Sequence, residues 1–223
     1  MRHPCSMRHY ASIAAIAGWI TVILRFYLSI NTSLADGTGI GSGVISFFSY
    51  FTVLTNILVA LAFTAGSMKS SNAKPQLVTS LLQQPSTVTA IAVYITIVAA
   101  VYHLLLSQLW DPQGLTKIVD IMLHTVMPAA YLIYWWLGVP KRSLQWRGAL
   151  VWLSYPIGYS VYTLLLGAVR NQYPYPFTDV SALGYTQVLF NSLGMLALFA
   201  IVSLLFIGIG KLQARQTQRA RSL

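Results

Sequence analysis

Six apolar runs, separated by short polar or Gly-rich stretches, account for most of the 223 residues. They cover residues 10–30, 45–65, 87–109, 115–137, 149–169 and 183–210. Each is about 20 residues or longer, which is what an α-helix needs to cross the hydrocarbon core of a bilayer. The pattern predicts an all-α polytopic membrane protein, a bundle of six transmembrane helices forming a single domain over 1–223. The first run has some features of a cleaved leader, with Ser33-Leu34-Ala35 as a small-residue cleavage site. Leader cores are only about 7–15 residues long. This run is longer and contains Arg25, so it reads as a retained helix. No internal repeat is visible, which weakens an inverted-repeat transporter reading.

Polar residues inside the runs are informative because hydrocarbon does not solvate them. The fourth run holds Asp120, His124 and Pro128, one helical turn apart and therefore on one face. Pro128 cannot donate the backbone bond that the carbonyl of His124 would accept in an α-helix. In the second run Ser49, Thr52 and Asn56 share a face, with Thr55 beside it. Counted at about 1.5 Å per residue, the second helix enters near Gly43 and reaches Thr52 roughly 14 Å in. His124 lies at a similar depth in the fourth. Arg25, His103, Tyr162 and Asn191 fall within about two turns of the same side. Each has an ordinary explanation alone. A helical threonine commonly bonds back to its own i−4 carbonyl, a membrane histidine joins helices, and an arginine snorkels. The shared depth predicts one internal cavity opening to that side.

Composition supports the membrane reading. The chain is 56% hydrophobic and 8% charged with a mean hydropathy of +0.65, whereas soluble domains carry about 25% charged residues. The net charge of +10 would suit nucleic acid, but its placement argues against that partner. All Lys and Arg except Arg25, Lys117 and Arg170 lie at the N-terminus (Arg2, Arg8), in two alternate loops (Lys69, Lys74; Lys141, Arg142, Arg147) or in the C-terminal tail. Basic residues mark the cytoplasmic side, so both termini are expected there. Asp36, Asp111 and Asp179 fall in the other loops, including the Trp110–Gly114 turn. Trp135, Trp136, Trp146 and Trp152 flank the second basic loop as interfacial anchors. The single cysteine, Cys5, cannot form an intramolecular disulfide.

The chemistry on offer is a hydroxyl (Thr52), an imidazole (His124), a carboxylate (Asp120) and two amides (Asn56, Asn191). No phosphate-cradling glycine loop or nucleophile elbow is present, and two histidines with one aspartate are poorly spaced for a metal. No metal or cofactor is expected. A hydroxyl beside a histidine suits nucleophilic acyl transfer, with Asp120 orienting the imidazole and Asn56 or Asn191 stabilising an oxyanion. Arg25, Thr55, His103 and Tyr162 complete the polar lining.

Three stretches carry a family resemblance: Phe48-Ser-Tyr-Phe-Thr-Val-Leu-Thr-Asn56, Leu123-His-Thr-Val-Met-Pro128 and Tyr173-Pro-Tyr-Pro-Phe-Thr-Asp-Val180. The chain resembles the androgen-induced (FAR-type) six-helix membrane proteins, most closely their uncharacterised bacterial branch, over nearly its whole length. Its likeness to the characterised animal members lies mainly in helices two and four. Those members are threonine hydrolases of fatty acid esters of hydroxy fatty acids, and their threonine and histidine positions match Thr52 and His124. The resemblance implies a lipid-ester substrate and residence in the bacterial cytoplasmic membrane. The alternative reading is a non-enzymatic transporter or lipid-binding protein using the same polar layer, in which Arg25 and His103 matter more.

Overall fold

The structure, a computed structural model, describes residues 5–68, 77–109 and 111–219. Arg2, Lys69, Lys74 and Trp110 lie outside the described residues. The chain is 86% helical, with no strand among the described residues. Among the described residues, five helices are long and apolar enough to cross a membrane, and a sixth span results if one bent pair is counted as a unit. Two compact units are present, Met1–Pro140 and Lys141–Leu223.

The first unit contains α1 (Cys5–Ala35), α2 (Gly39–Ser49), α3 (Phe51–Ser67), α4 (Leu77–Leu82) and α5 (Pro85–Val101). These are followed by α6 (Gly114–Ile121) and α7 (Met127–Gly138). A π turn, Tyr102–Leu106, extends α5, and another, Met122–Val126, joins α6 to α7 into one span. Helix α1 packs along α2 and α3, α3 against α5, and α5 against α7. Gly18 makes the α1–α3 contact possible: a Cβ there would stand 2.9 Å from Met127 Cε and 3.3 Å from Ala60 Cβ. Away from the π turns the core is aromatic, with Phe63 edge-on to Tyr131 and Tyr134 at 5.2 and 5.3 Å. Their polar atoms find partners, as buried polar groups in hydrocarbon must. Tyr10 Oη donates to the Ala130 carbonyl, and Trp19 and Trp135 donate their indole N–H to Thr64 and Thr89.

Three expected boundaries change. The polar stretch 31–43 is largely helical, because α1 runs to Ala35 and α2 starts at Gly39 after the left-handed turn at Gly37. The basic loop holds the short helix α4. The second span is not straight: α2 and α3 meet at 73° around Tyr50, whose backbone is extended. Ser49 explains the break. Its hydroxyl donates to the Ile45 and Ser46 carbonyls, the local back-bonding that bends helices. The Tyr50 carbonyl then starts α3 by accepting the N–H of Val53 and Leu54. The straight count from Gly43 to Thr52 therefore does not apply; Thr52 sits in the first turn of α3.

The second unit contains α8 (Gly148–Trp152), α9 (Ser154–Arg170), a 3₁₀ turn (Pro176–Thr178) and α10 (Val180–Arg219). Helices α8 and α9 divide the fifth apolar run because Pro156 has no N–H and is accommodated in a first helical turn. Asn171 ends α9 in the left-handed region, φ 53°. Asp179 caps α10 by accepting the N–H of Ser181 and Ala182 at 2.9 and 3.2 Å.

Candidate functional site

The site begins with a proline. In the π turn, Met127 donates its N–H to the Met122 carbonyl instead of that of Leu123. The ladder is shifted by one residue, so the next donor would come from residue 128, and Pro128 has none. The carbonyl left without a helical partner is therefore Leu123, one residue from the position the α-helical count gives. Asn56 on α3 answers it: Nδ2 donates to Leu123 O at 3.3 Å and to Thr52 O at 2.9 Å. Both partners are carbonyl oxygens, which fixes the orientation of the amide and turns Oδ1 away. That oxygen is buried and has no partner. One amide thus ties the turn carrying Thr52 to the turn carrying His124, and both its hydrogens are engaged on backbone.

His124 is nearly buried and held on two sides. Its Nδ1 lies 3.0 Å from the Asp120 carbonyl and 3.2 Å from Asp120 Oδ1. Since both can only accept, Nδ1 carries a proton, and Nε2 is the ring nitrogen left to act as a base. Asp120 is thus paired with His124, its i+4 neighbour. Tyr102, from the other π turn, stacks on the His124 ring at 3.7 Å between centroids with an 11° tilt. The same tyrosine donates its O–H to Asp120 Oδ2. One carboxylate thereby takes a phenol hydrogen on one oxygen and an imidazole hydrogen on the other. Tyr102 is the residue that sequence reasoning missed. Its neighbour His103 was noticed, but nothing local in Val101-Tyr102-His103 tells which of the two rings faces Asp120.

The two π turns also meet through His103, whose Nε2 lies 3.1 Å from Thr125 Oγ1 on an exposed surface. Such turns concentrate at functional sites because the extra residue re-aims side chains. Thr52 and Thr55 are buried on α3, Thr55 completely. Arg25 reaches across from α1, its guanidinium carbon 5.5 Å from the centre of the Tyr50 ring.

Arg25, Thr52, Thr55, Asn56, His103, Asp120 and His124 thus all belong to the first unit, together with Tyr102. Tyr162 and Asn191 belong to the second. Tyr162 is exposed on α9, 6.5 Å from the Tyr159 ring. Asn191 donates Nδ2 to the Phe177 carbonyl at 2.9 Å and accepts from Gln187, so its amide holds the aromatic loop. In that loop Tyr175 and Phe177 stack at 5.2 Å. Among the described residues, no three of His, Cys, Asp and Glu come together as metal ligands.

Compared with family models, curated proteins and solved structures, the chain gives no match.

Proposed function

We propose that this chain is an intramembrane threonine hydrolase that cleaves a lipid ester, with Thr52 as nucleophile and His124 as general base. The observation that carries the reading is the Asn56 bridge, with bonds of 2.9 and 3.3 Å to the carbonyls of Thr52 and Leu123. It joins the threonine turn to a histidine already oriented by a carboxylate. His124 Nε2 takes the Thr52 hydroxyl proton, and Thr52 Oγ attacks the ester carbonyl. The imidazolium returns the proton to the departing alcohol. Water then attacks the acyl-threonine with the same histidine as base, releasing the acid. Asp120 holds the Nδ1 proton, and Tyr102 fixes Asp120. Asn56, its hydrogens engaged on backbone, positions the two turns; the oxyanion donor in this reading is another group.

The resemblance to the androgen-induced family supports the same pair and favours a fatty acid ester of a hydroxy fatty acid as substrate. Both termini are taken as cytoplasmic in a bacterial inner membrane, on the strength of the basic loops and tail. The test is labelling of the purified protein by a fluorophosphonate probe, lost in Thr52→Ala and in His124→Ala. A wild-type protein that takes no label and hydrolyses no lipid ester refutes the reading. A second reading, a transporter or lipid-binding protein, draws on Arg25, a cation held beside Tyr50 in the same layer. Lipid flux in proteoliposomes that survives Thr52→Ala would favour it.

A further inference from the structure

Thr21, Thr64, Thr89 and Thr96 show what a helical threonine does in this fold. Each donates its hydroxyl to the carbonyl four residues back, at 2.6–2.8 Å. Thr125 does not. It lies in the π turn 122–126, where the backbone register is shifted, and its Oγ1 sits 3.1 Å from His103 Nε2 in the other π turn. Both residues are exposed. Their neighbours Leu104 and Leu105 on one turn, and Ile121 and Val126 on the other, are exposed and apolar. A hydrogen-bonding pair thus interrupts a surface otherwise suited to lipid tails, where polar groups are costly.

The pair has a hydrogen to spare. A neutral imidazole carries one N–H and a hydroxyl one O–H. If Thr125 donates to Nε2, the imidazole hydrogen is on Nδ1 and points elsewhere. If Nε2–H donates to Thr125, the threonine O–H is left over. Either tautomer leaves one donor, and among the described residues neither side chain has a second hydrogen-bond partner. The matching ligand is an oxygen acceptor found at membrane depth, which in a lipid is an acyl carbonyl. His103 also adjoins the site already described. Its ring is edge-on to Tyr102 at 5.1 Å, and Tyr102 stacks on His124 at 3.7 Å. Three rings therefore run in sequence from the exposed surface to the base.

We infer that His103 and Thr125 form an entry subsite, open to the bilayer, that takes the acyl carbonyl of a lipid ester on its way to His124. Delivery to His124 rests on the hydrolase reading; binding at the pair does not.

The probe is methyl palmitate carrying a photoactivatable diazirine near its carbonyl. Its control is the matching methyl ether, which has the same length and no carbonyl. The full-length Thr52→Ala protein, which on the hydrolase reading cannot turn the ester over, is irradiated with each in maltoside detergent, which has no acyl carbonyl to compete. Cross-links are mapped by mass spectrometry. The expected result is ester cross-linking within residues 102–106 and 121–126 at concentrations where the ether gives little. Thr125→Val and His103→Leu, each added to that protein, raise the ester concentration needed by about fivefold, as expected for one hydrogen bond in a membrane, and leave the ether unchanged. Thr125→Ser, which keeps the hydroxyl, keeps the ester cross-link. A pair that only clasps the two turns affects ester and ether alike. That outcome would overturn the inference, as would ester cross-links spread evenly over the spans. Hydrolysis of the ester by the wild-type protein is measured alongside. Cross-linking at the pair without hydrolysis counts against the hydrolase and retains the subsite; hydrolysis without ester-specific cross-linking at the pair does the reverse.

Discussion

Replacing Asn56 by leucine tests the bridge at the centre of the site without assuming any activity. The side chains are similar in size, so the change removes the amide with little change in packing volume. Two bonds are lost. The one to Thr52 O is within a helix, but the one to Leu123 O serves a carbonyl that the π turn and Pro128 leave with no other donor. At 3.3 Å the latter bond is long for N–H···O, so the larger part of the loss is the stranded carbonyl rather than the bond itself. Interhelical hydrogen bonds in membranes average about 0.6 kcal/mol and reach about 1.7, and an unsatisfied buried acceptor costs about 1–3. We expect Asn56→Leu to cost about 1.5 kcal/mol, an apparent Tm lower by about 3–6 °C for a chain of this size. Pro128→Ala restores an N–H at the position facing Leu123 O. In that background Asn56→Leu should cost about half as much, a coupling of roughly 0.7 kcal/mol or more between residues far apart in sequence. The four proteins are compared by thermal unfolding in one detergent. Additivity within about 0.3 kcal/mol, the scatter of independent sites, would refute the account of why the π turn needs Asn56.

Tyr102→Phe keeps the stack on His124 and removes only the O–H to Asp120. Hydrogen bonds to charged groups are worth about 1.5–3 kcal/mol, so fluorophosphonate labelling of Thr52 should slow by at least about tenfold and the Tm should fall by about 3 °C or more, and an unchanged rate would exclude a role for Tyr102 in holding the carboxylate. Gly66→Ala should lower the Tm by several degrees, because the new Cβ would overlap the Tyr134 hydroxyl and overpacking costs about 1–3 kcal/mol; an unaltered Tm would mean that α3 and α7 are not in such close contact. In neutral detergent, stability should rise between about pH 8 and 10.5, because unfolded Lys141 keeps its proton up to the ordinary 10.5 while the folded one releases it near 8. Below that window the Lys141 contribution is constant, and Lys141→Met should remove the slope.

Hydropathy located the apolar segments because span length is a property of consecutive residues. It could not locate the break at Tyr50, which arises from one hydroxyl, Ser49, bonding to carbonyls three and four residues back. The Asp120–His124 pair was legible because i,i+4 neighbours on a helix must meet. Pro128 announced an orphan carbonyl but not which one, since an α-helical count assigns it to His124 and the π register moves it to Leu123. Asn56 was recognised as a polar residue at the right depth. Its role as a donor to backbone depends on where the carbonyl went, so it could not be read beforehand. Tyr102 was invisible for a related reason. No proline follows the turn 102–106 closely, and the ring's contacts are with residues 18 and 22 positions away.

The π turn at Met122–Val126 amounts to one extra residue inserted in an α-helix, and everything beyond it is rotated by about 100° relative to an uninterrupted one. Deleting any single residue of that stretch would swing Tyr131, Tyr134 and Trp135 off Phe63 and Thr89 if the Asp120 end stayed fixed, or displace Asp120 from Tyr102 if the aromatic end did. The spacing between the two ends of this helix is thus as much a part of the site as its side chains. Relatives that keep the chemistry should tolerate exchange of letters here far better than a change in their number.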